Sequence, residues 1–224
     1  MTNLDLNNLV TAISQSAPAG IRFRQGVIQS VQSNGTATVQ IAGSTTNISG
    51  IKVASHTCPV PGASCFLATD GRDWFILNTF APTGPAWGAM RQSAAQSIPN
   101  ATLTALSWAN RTDIAANGVT VGNSGLTCVV PGLYQITGQV SFVTNITGQR
   151  HCLIQLNGNT IIHGSGSNAS TGTEISRHRA DGLWNLAIND VINLAAYQNS
   201  TAALNTQTGA GYTLLRMVWI GPGS

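Results

Sequence analysis

One run of residues, 125–142, constrains the fold of this chain more than any other part of it. Over residues 134–142 apolar or glycine residues occupy the even positions and polar residues the odd ones. This two-residue period predicts a strand with one buried face and one solvent-facing face. Pro131 and Gly132 directly precede it and predict a turn, which also ends a short apolar strand over residues 126–130.

The same run carries a resemblance. The arrangement Gly-x-Thr-Cys-x-x-Pro-Gly-x-Tyr-x-Ile, over residues 125–136, resembles a signature of the complement C1q and tumour necrosis factor jelly-roll family. The resemblance implies that a strand enters a Pro-Gly corner and continues as a long core strand. It also implies that the domain assembles as a homotrimer.

Three further features extend this resemblance loosely over residues 89–222. Asn157-Gly158 looks like the family's turn after a central strand, and residues 189–194 look like its Gly-Asp-x-Val hairpin, with Asn189 in the glycine position. Residues 212–220 look like a last strand that returns to the middle of a sheet. The resemblance implies an antiparallel jelly-roll sandwich, and jelly rolls of this type serve many functions.

Residues 19–80 show a different strand pattern. Several short strands are predicted there; in the first of them Ile21 and Phe23 alternate with Arg22 and Arg24. An Asp70-Gly71 turn is predicted to join residues 65–69 to residues 72–77 as a hairpin. The number and length of the strands fit a small closed barrel like the oligonucleotide/oligosaccharide-binding (OB) fold. The spacing of glycine, valine and isoleucine residues around Asn34-Gly35, over residues 26–41, resembles that in the small barrels of tailed-phage tail and baseplate proteins.

The N-terminal residues predict an amphipathic helix. Within residues 3–16 one apolar stripe follows the helical spacing i, i+3, i+4, i+7 and consists of Leu6, Leu9, Val10 and Ile13. Asn3 can cap its start and Pro18 ends it. A helix this short needs a docking surface, either on its own neighbouring domain or on a partner chain. These four residues are therefore the candidate partner-docking residues.

We therefore predict an all-β chain with an N-terminal helix. The expected divisions are a helix over residues 1–18, an OB-like barrel over 19–80, a Pro/Gly-rich linker over 81–88 and a jelly roll over 89–224.

Composition excludes several classes of partner. Only 8% of residues are charged, against about 25% in a typical soluble domain. The net charge of +3 is spread along the chain, with no cluster of five or six basic residues, so nucleic-acid binding is not expected. No apolar run is long enough to span a membrane and no signal peptide is evident, so we expect synthesis in a cytoplasm and no membrane insertion.

The sequence holds no recognisable catalytic or cofactor motif. There is no Gly-x-Ser-x-Gly elbow and no phosphate- or dinucleotide-binding glycine pattern. Asp70 and Asp73 resemble a glycosidase pair only in their proximity, and they flank a predicted solvent-exposed turn. We therefore expect no enzymatic activity, no catalytic residue, no metal site and no cofactor.

The four cysteines lack zinc-binding spacing. Cys128 and Cys152 fall within strand patterns, where a thiol usually belongs to the core. Cys58 and Cys65 could form a bridge across a Pro-rich loop, although a cytosolic product favours reduced thiols.

Basic residues concentrate in two short segments of the predicted jelly roll. On adjacent strands they could line a surface site for an anion or glycan, or they could be outer-face residues or contacts across a trimer. The candidate surface-ligand residues are Arg150, His151, Arg177, His178 and Arg179.

Taken together, these features predict a structural virion protein of a tailed bacteriophage, a minor tail or tail-tip protein. Its partners would be itself, other virion proteins through residues 1–80, and a glycan of the host surface. A capsid decoration or head-spike protein and a bacterial carbohydrate-binding or adhesin module are the alternatives.

Overall fold

A computed structural model describes residues 20–54, 57–80, 85–169 and 174–223. The chain divides into two units, Met1–Pro85 and Ala86–Ser224. All regular elements in these residues are strands. The predicted helix of residues 3–16 lies outside the described residues, and so does its apolar stripe of Leu6, Leu9, Val10 and Ile13.

The N-terminal unit contains a closed barrel of five strands. They are β1 Arg22–Val31, β2 Ala37–Ile41, β3 Asn47–Val53, β4 Ser64–Thr69 and β5 Trp74–Phe80. Around the barrel the order is β1-β2-β3-β5-β4, with β4 pairing back onto β1. The pairing of β3 with β5 is parallel and the others are antiparallel. This small closed barrel agrees with the OB-like architecture predicted from the sequence.

Two local features of the sequence shape the barrel. A Cβ at Gly26 would lie only 2.9 Å from the carbonyl oxygen of Gln40, so glycine lets β1 and β2 cross closely. At the β4–β5 turn, Asp70 Oδ1 accepts hydrogen bonds from the backbone N–H groups of Arg72 (2.9 Å) and Asp73 (2.8 Å). The predicted hairpin therefore forms, with β5 beginning at Trp74.

The C-terminal unit is a sandwich of two antiparallel sheets. Its strands are β6 Trp87–Gln92, β7 Ser97–Ile98, β8 Thr104–Ala105, β9 Arg111–Asn117, β10 Val119–Gly122, β11 Gly125–Cys128, β12 Gly132–Phe142, β13 Gln149–Leu156, β14 Thr160–Asn168, β15 Ser176–Leu186, β16 Val191–Gln198, β17 Leu204–Asn205 and β18 Leu214–Gly221. The six-stranded sheet has the order β10-β11-β16-β13-β14, with β8 added on β16. The five-stranded sheet has the order β15-β12-β18-β6-β9, and β7 pairs with β17. This is the predicted jelly roll, and its last long strand, β18, lies in the middle of a sheet.

The predicted core strand is confirmed as β12. Its even positions face the other sheet, and Tyr134, Ile136, Val140 and Phe142 are fully buried there. The odd face is less exposed than the polar pattern suggests, because Thr137 and Ser141 are also buried. Near the C-terminal end of β12, Thr213 lies against Ser141, and its Oγ1 accepts a hydrogen bond from the Ser141 N–H at 3.2 Å.

The Pro-Gly corner has a clear physical basis. Gly132 has φ +148°, and a Cβ there would lie 2.5 Å from the carbonyl oxygen of Gly221 and also against the Trp219 ring. The Trp219 indole N–H donates to the Pro131 carbonyl at 3.2 Å, and the Tyr134 hydroxyl donates to the Val130 carbonyl at 2.7 Å. Glycine at position 132 therefore lets the corner pack closely on β18, and the Tyr134 hydroxyl holds the corner to the start of β12.

The two other turns singled out in the sequence lie against each other. Asn157 and Gly158 both have positive φ, as does Asn189 in the expected glycine position. Asn157 Nδ2 donates to Asp190 Oδ1 at 2.9 Å, and Asn157 Oδ1 accepts from the Val191 N–H at 2.9 Å. These bonds join the β13–β14 turn to the start of β16.

Some boundaries differ from those predicted. Trp87 and Gly88, assigned to the linker, are the first residues of β6 because they pair with β18. The strand expected over residues 126–130 ends at Cys128, because the chain turns toward the Pro131 corner. All four cysteines are buried thiols, so Cys58 and Cys65 are not bridged.

Candidate functional site

One candidate surface is the side of the five-stranded sheet that faces away from the other sheet, and we call it the outer face. Side chains on a strand alternate between the two sides of its sheet, so the odd residues of β12 and the even residues of β18 point outward. They form a shallow depression with a volume of about 390 Å³. Its lining includes Trp87, Ala89, Ile114, Leu214 and Val218.

Large apolar side chains on this face are exposed. Ile114 on β9 is 55% exposed, and Ile220 on β18 is 48% exposed. Leu183 on β15, opposite Gln135 in the pairing with β12, is 54% exposed. A run of apolar side chains across one sheet face is typical of a surface that contacts another protein.

A polar cluster crosses the middle of the outer face. The Asp181 carboxylate accepts a hydrogen bond from the Thr137 hydroxyl at 2.6 Å and two from Arg179, at 2.7 and 2.9 Å. Thr137 stands directly opposite Arg216 in the pairing of β12 with β18. Partial burial raises the pKa of Asp181, but the bonds from Arg179 and Thr137 and the nearby charge of Arg216 outweigh it and hold that pKa below its usual value. The carboxylate is therefore ionised and already satisfied within the protomer.

Two of the five candidate ligand residues are buried between the sheets. Arg150 is 0% exposed and His178 is 6% exposed. The Arg150 guanidinium lies 5.8 Å from the centre of the Phe142 ring. It donates to the Gln149 carbonyl at 2.9 Å and to Asn145 Oδ1 at 3.1 Å. The prediction that Arg150 and His178 are surface contacts is corrected, because both project from the core side of their strands.

His178 lies in the same buried region. Its ring meets Phe142 edge-on, with ring centres 6.2 Å apart. Burial lowers its pKa, and the positive charge of Arg150 and the proximity of His151 lower it further. Near neutral pH this imidazole is uncharged, so it adds no positive charge to the sandwich.

The other three candidates lie on two different surfaces. His151 is on the six-stranded sheet, edge-on to Tyr197 at 5.5 Å. Arg177 and Arg179 are on the outer face, where the Arg177 guanidinium lies 5.0 Å from the centre of the Tyr212 ring. The structure thus pairs Arg179 with Asp181 and places Arg177 against Tyr212, and the five basic residues do not form one site.

Sequence reasoning missed the residues that define the outer face. Ile114, Asp181 and Arg216 are far apart in the chain, and only the pairings of β15, β12, β18, β6 and β9 bring them together. Alternation along β18 marks Leu214 and Val218 as one side of a strand, but no sequence signal gives the order of its neighbours.

Two classes of site are absent from the residues that the structure describes. No group of three or more histidine, cysteine or acidic side chains there could hold a metal ion. No helix in the described part of the chain has the length and apolar character needed to cross a membrane.

Comparison with known proteins yields structural similarities only. No protein-family model matches the chain, and no curated protein sequence matches it. Among solved structures, the chain is similar to murine APRIL at pH 5.0, with a TM-score of 0.49 and 12% identity over 61% of this chain and 100% of that one. It is also similar to Eiger TNF from S. frugiperda, with a TM-score of 0.48 and 8% identity over 63% of this chain and 96% of that one. The likeness is one of fold alone.

Proposed function

We propose that the chain is a homotrimeric structural protein of a tailed-bacteriophage virion, a minor tail or tail-tip protein. In this proposal residues 1–80 attach it to other virion proteins. The jelly roll forms the trimer and is displayed for contact with a glycan of the host surface. The function is assembly and recognition, without covalent chemistry.

The observation that carries the trimer is the outer face, with its exposed apolar side chains around a satisfied polar cluster. Burying Ile114 and Leu183 against another chain removes apolar surface from water. Asp181 can enter such an interface at low cost, because Arg179 and Thr137 already occupy its oxygens. A second copy of this chain is the occupant we infer, since the low charge content leaves much surface that can be buried in a permanent assembly.

If the outer face forms the trimer interface, the substitution Ile114→Asp should weaken subunit association. Because Ile114 is 55% exposed in the protomer, the substitution leaves the fold intact and places a carboxylate in the proposed interface. We expect the trimer dissociation constant to rise by at least about tenfold, which corresponds to roughly 1.4 kcal/mol. Sedimentation equilibrium of the full chain at micromolar concentration measures it.

Ile161→Asp is the matched control. Ile161 is 49% exposed but lies on the six-stranded sheet, so this variant is expected to sediment as the wild type does. A monomeric wild-type chain would refute the trimer. Equal dissociation of the two variants would show that the outer face is not the interface.

Support for placing the chain in a virion comes from the N-terminal unit. The residue spacing over 26–41 resembles that in the small barrels of tail and baseplate proteins. These residues span most of β1 and all of β2 in a closed five-stranded barrel. The apolar stripe predicted before the barrel supplies a docking element. A barrel and a jelly roll in separate units suit a division between attachment and display.

Deletion of residues 1–18 tests the attachment role. We expect the shortened chain to fold and trimerise, because neither sheet of the jelly roll includes these residues, but to be absent from purified particles. Leu9→Asp should reproduce the loss, whereas Asn8→Asp, beside the stripe, should not. Quantitative mass spectrometry of purified phage measures incorporation. Normal incorporation of the deletion variant would place attachment elsewhere.

Labelling of the chain in intact particles distinguishes the alternatives. Label at the tail tip supports the proposal, and label on the head would indicate a capsid decoration or head-spike protein. A chain found in no particle would favour a bacterial carbohydrate-binding or adhesin module.

A further inference from the structure

The barrel holds a second pocket, separate from the outer face of the jelly roll. It has a volume of about 240 Å³ and is lined by Arg22, Arg24, Thr69, Gly71 and Trp74. The pocket lies where β1, β4 and β5 meet beside the β4–β5 turn. We call it the mouth pocket.

The two arginines of the mouth pocket follow the interior side of β1. Ile28 is fully buried inside the barrel, so side-chain alternation places Arg24 and Arg22 on that same side. Their partners on β4 confirm the side, because Arg24 pairs with buried Leu67 and Arg22 with buried Thr69. The barrel core therefore ends in two guanidinium groups at one opening, and barrel mouths are frequent ligand sites.

The nearby carboxylates are committed to other groups. Asp70 holds the backbone of its own turn, and Asp73 lies 3.3 Å from Lys52 Nζ. Within residues 20–54 and 57–80 no carboxylate forms an ion pair with Arg22 or Arg24. Arg24 donates only to the Phe23 carbonyl there, at 2.9 Å. Arg22 and Arg24 are both exposed, so their side chains reach solvent at the barrel opening. Two accessible cations without a carboxylate partner mark a place that an external oxyanion can fill.

The pocket also offers an aromatic surface and a hydroxyl. The Trp74 side chain is half-buried against the barrel core and lines the pocket. Thr69 Oγ1 accepts a hydrogen bond from the Gly71 N–H at 3.0 Å, which leaves its own hydroxyl hydrogen able to donate. Space above Gly71 is open, so a ligand can enter from the turn side.

We propose that the mouth pocket binds a sugar that carries a carboxylate or phosphate group. The two arginines contact the anionic group, the Thr69 hydroxyl donates to it or to a ring hydroxyl, and the sugar ring packs on Trp74. The volume lies below the usual range for drug-sized ligands, about 300–1,000 Å³, so one ring with its acid group fits and a long polymer track does not. This site belongs to the N-terminal unit and goes beyond the proposed display function.

Calorimetric titration of the full-length protein tests the site with four small probes. Glucuronate and glucose 6-phosphate carry both a ring and an anion, glucose carries the ring alone, and inorganic phosphate carries the anion alone. We expect the two acidic sugars to bind at least about tenfold more tightly than glucose or phosphate, and their affinity to fall as salt rises.

Variants assign any binding to the pocket. The double substitution Arg22→Gln and Arg24→Gln should weaken binding of both acidic sugars at least about tenfold, with the melting temperature reported in parallel. Arg72→Gln is the control, because Arg72 is on the same turn but does not line the pocket; its affinity should match the wild type. Trp74→Phe should retain binding, and Trp74→Ala should lose it.

Four results would overturn the proposal. They are no binding of either acidic sugar, equal binding of inorganic phosphate, an equal effect of Arg72→Gln, and tighter binding of a dT oligonucleotide than of either sugar. The last result would assign the pocket to single-stranded nucleic acid instead.

Discussion

Val140→Asp is expected to destabilise the jelly roll by about 3 kcal/mol or more, because it places a carboxylate without a partner in a fully buried position. Val140 is in the middle of the sandwich on β12, a strand paired on both sides by β15 and β18. The carboxylate can regain neutrality only by taking up a proton, which itself costs free energy at neutral pH. Urea denaturation, followed by circular dichroism, measures the loss.

Gln135→Asp is the matched control on the same strand. Gln135 is exposed on the outer face, so both variants are compared at a protein concentration below the trimer dissociation constant, where only protomers are present. Under that condition its replacement should change the free energy of unfolding by less than about 0.5 kcal/mol. Gln139 is a poorer control, because its amide donates to the carbonyls of Gly211 and Tyr212, both at 2.6 Å. Equal losses in the Val140 and Gln135 variants would show that the register of β12 is wrong.

Gly132→Ala is expected to cost about 2–4 kcal/mol, which is large for the addition of one methyl group. The added Cβ meets the carbonyl oxygen of Gly221, a backbone atom that cannot rotate away, and the backbone at Gly132 has φ +148°. The Pro-Gly corner must therefore open, and the bond between Trp219 and Pro131 weakens with it. Thermal and urea unfolding both report the change.

Gly158→Ala separates the two causes of that loss. Gly158 also has positive φ, at 85°, but no atom lies within 4 Å of the Cβ that alanine would add. Its replacement should therefore show only the conformational cost, about 1 kcal/mol. If both glycine variants lost the same stability, close packing at the corner would not be the reason for Gly132.

The sequence predicted those parts of the fold that depend on local pattern. Alternation over residues 134–142 gave the core strand, and the turn residues Asn157, Gly158 and Asn189 marked loops whose backbone does adopt positive φ. These features need only neighbouring residues. The outer face could not be predicted, because Ile114 and Asp181 share it through strand pairings that no local pattern encodes.

The basic residues show where local reasoning was available but incomplete. Arg150 alternates with Cys152 and Ile154, which marks it as core-facing, and the structure buries all three. Grouping Arg150 with the other basic residues by charge alone ignored the side of the strand on which it lies. At the start of the barrel, the apolar residues Ile21, just before β1, and Phe23 would alone suggest an inward face. Ile21 is nevertheless 39% exposed, and Phe23 stacks on Phe66 with ring centres 5.3 Å apart. Gly26 and Ile28, further along β1, show which alternate residues of the strand face the barrel interior.

The four buried thiols make this chain its own reporter of local opening. Burial raises the pKa of Cys65 to about 11 and that of Cys152 to about 12, so neither forms a reactive thiolate in the folded state at neutral pH. Cys58 and Cys65 belong to the N-terminal unit, and Cys128 and Cys152 to the C-terminal unit. The rate at which an alkylating reagent modifies each pair therefore follows the opening of its own unit, without any added label.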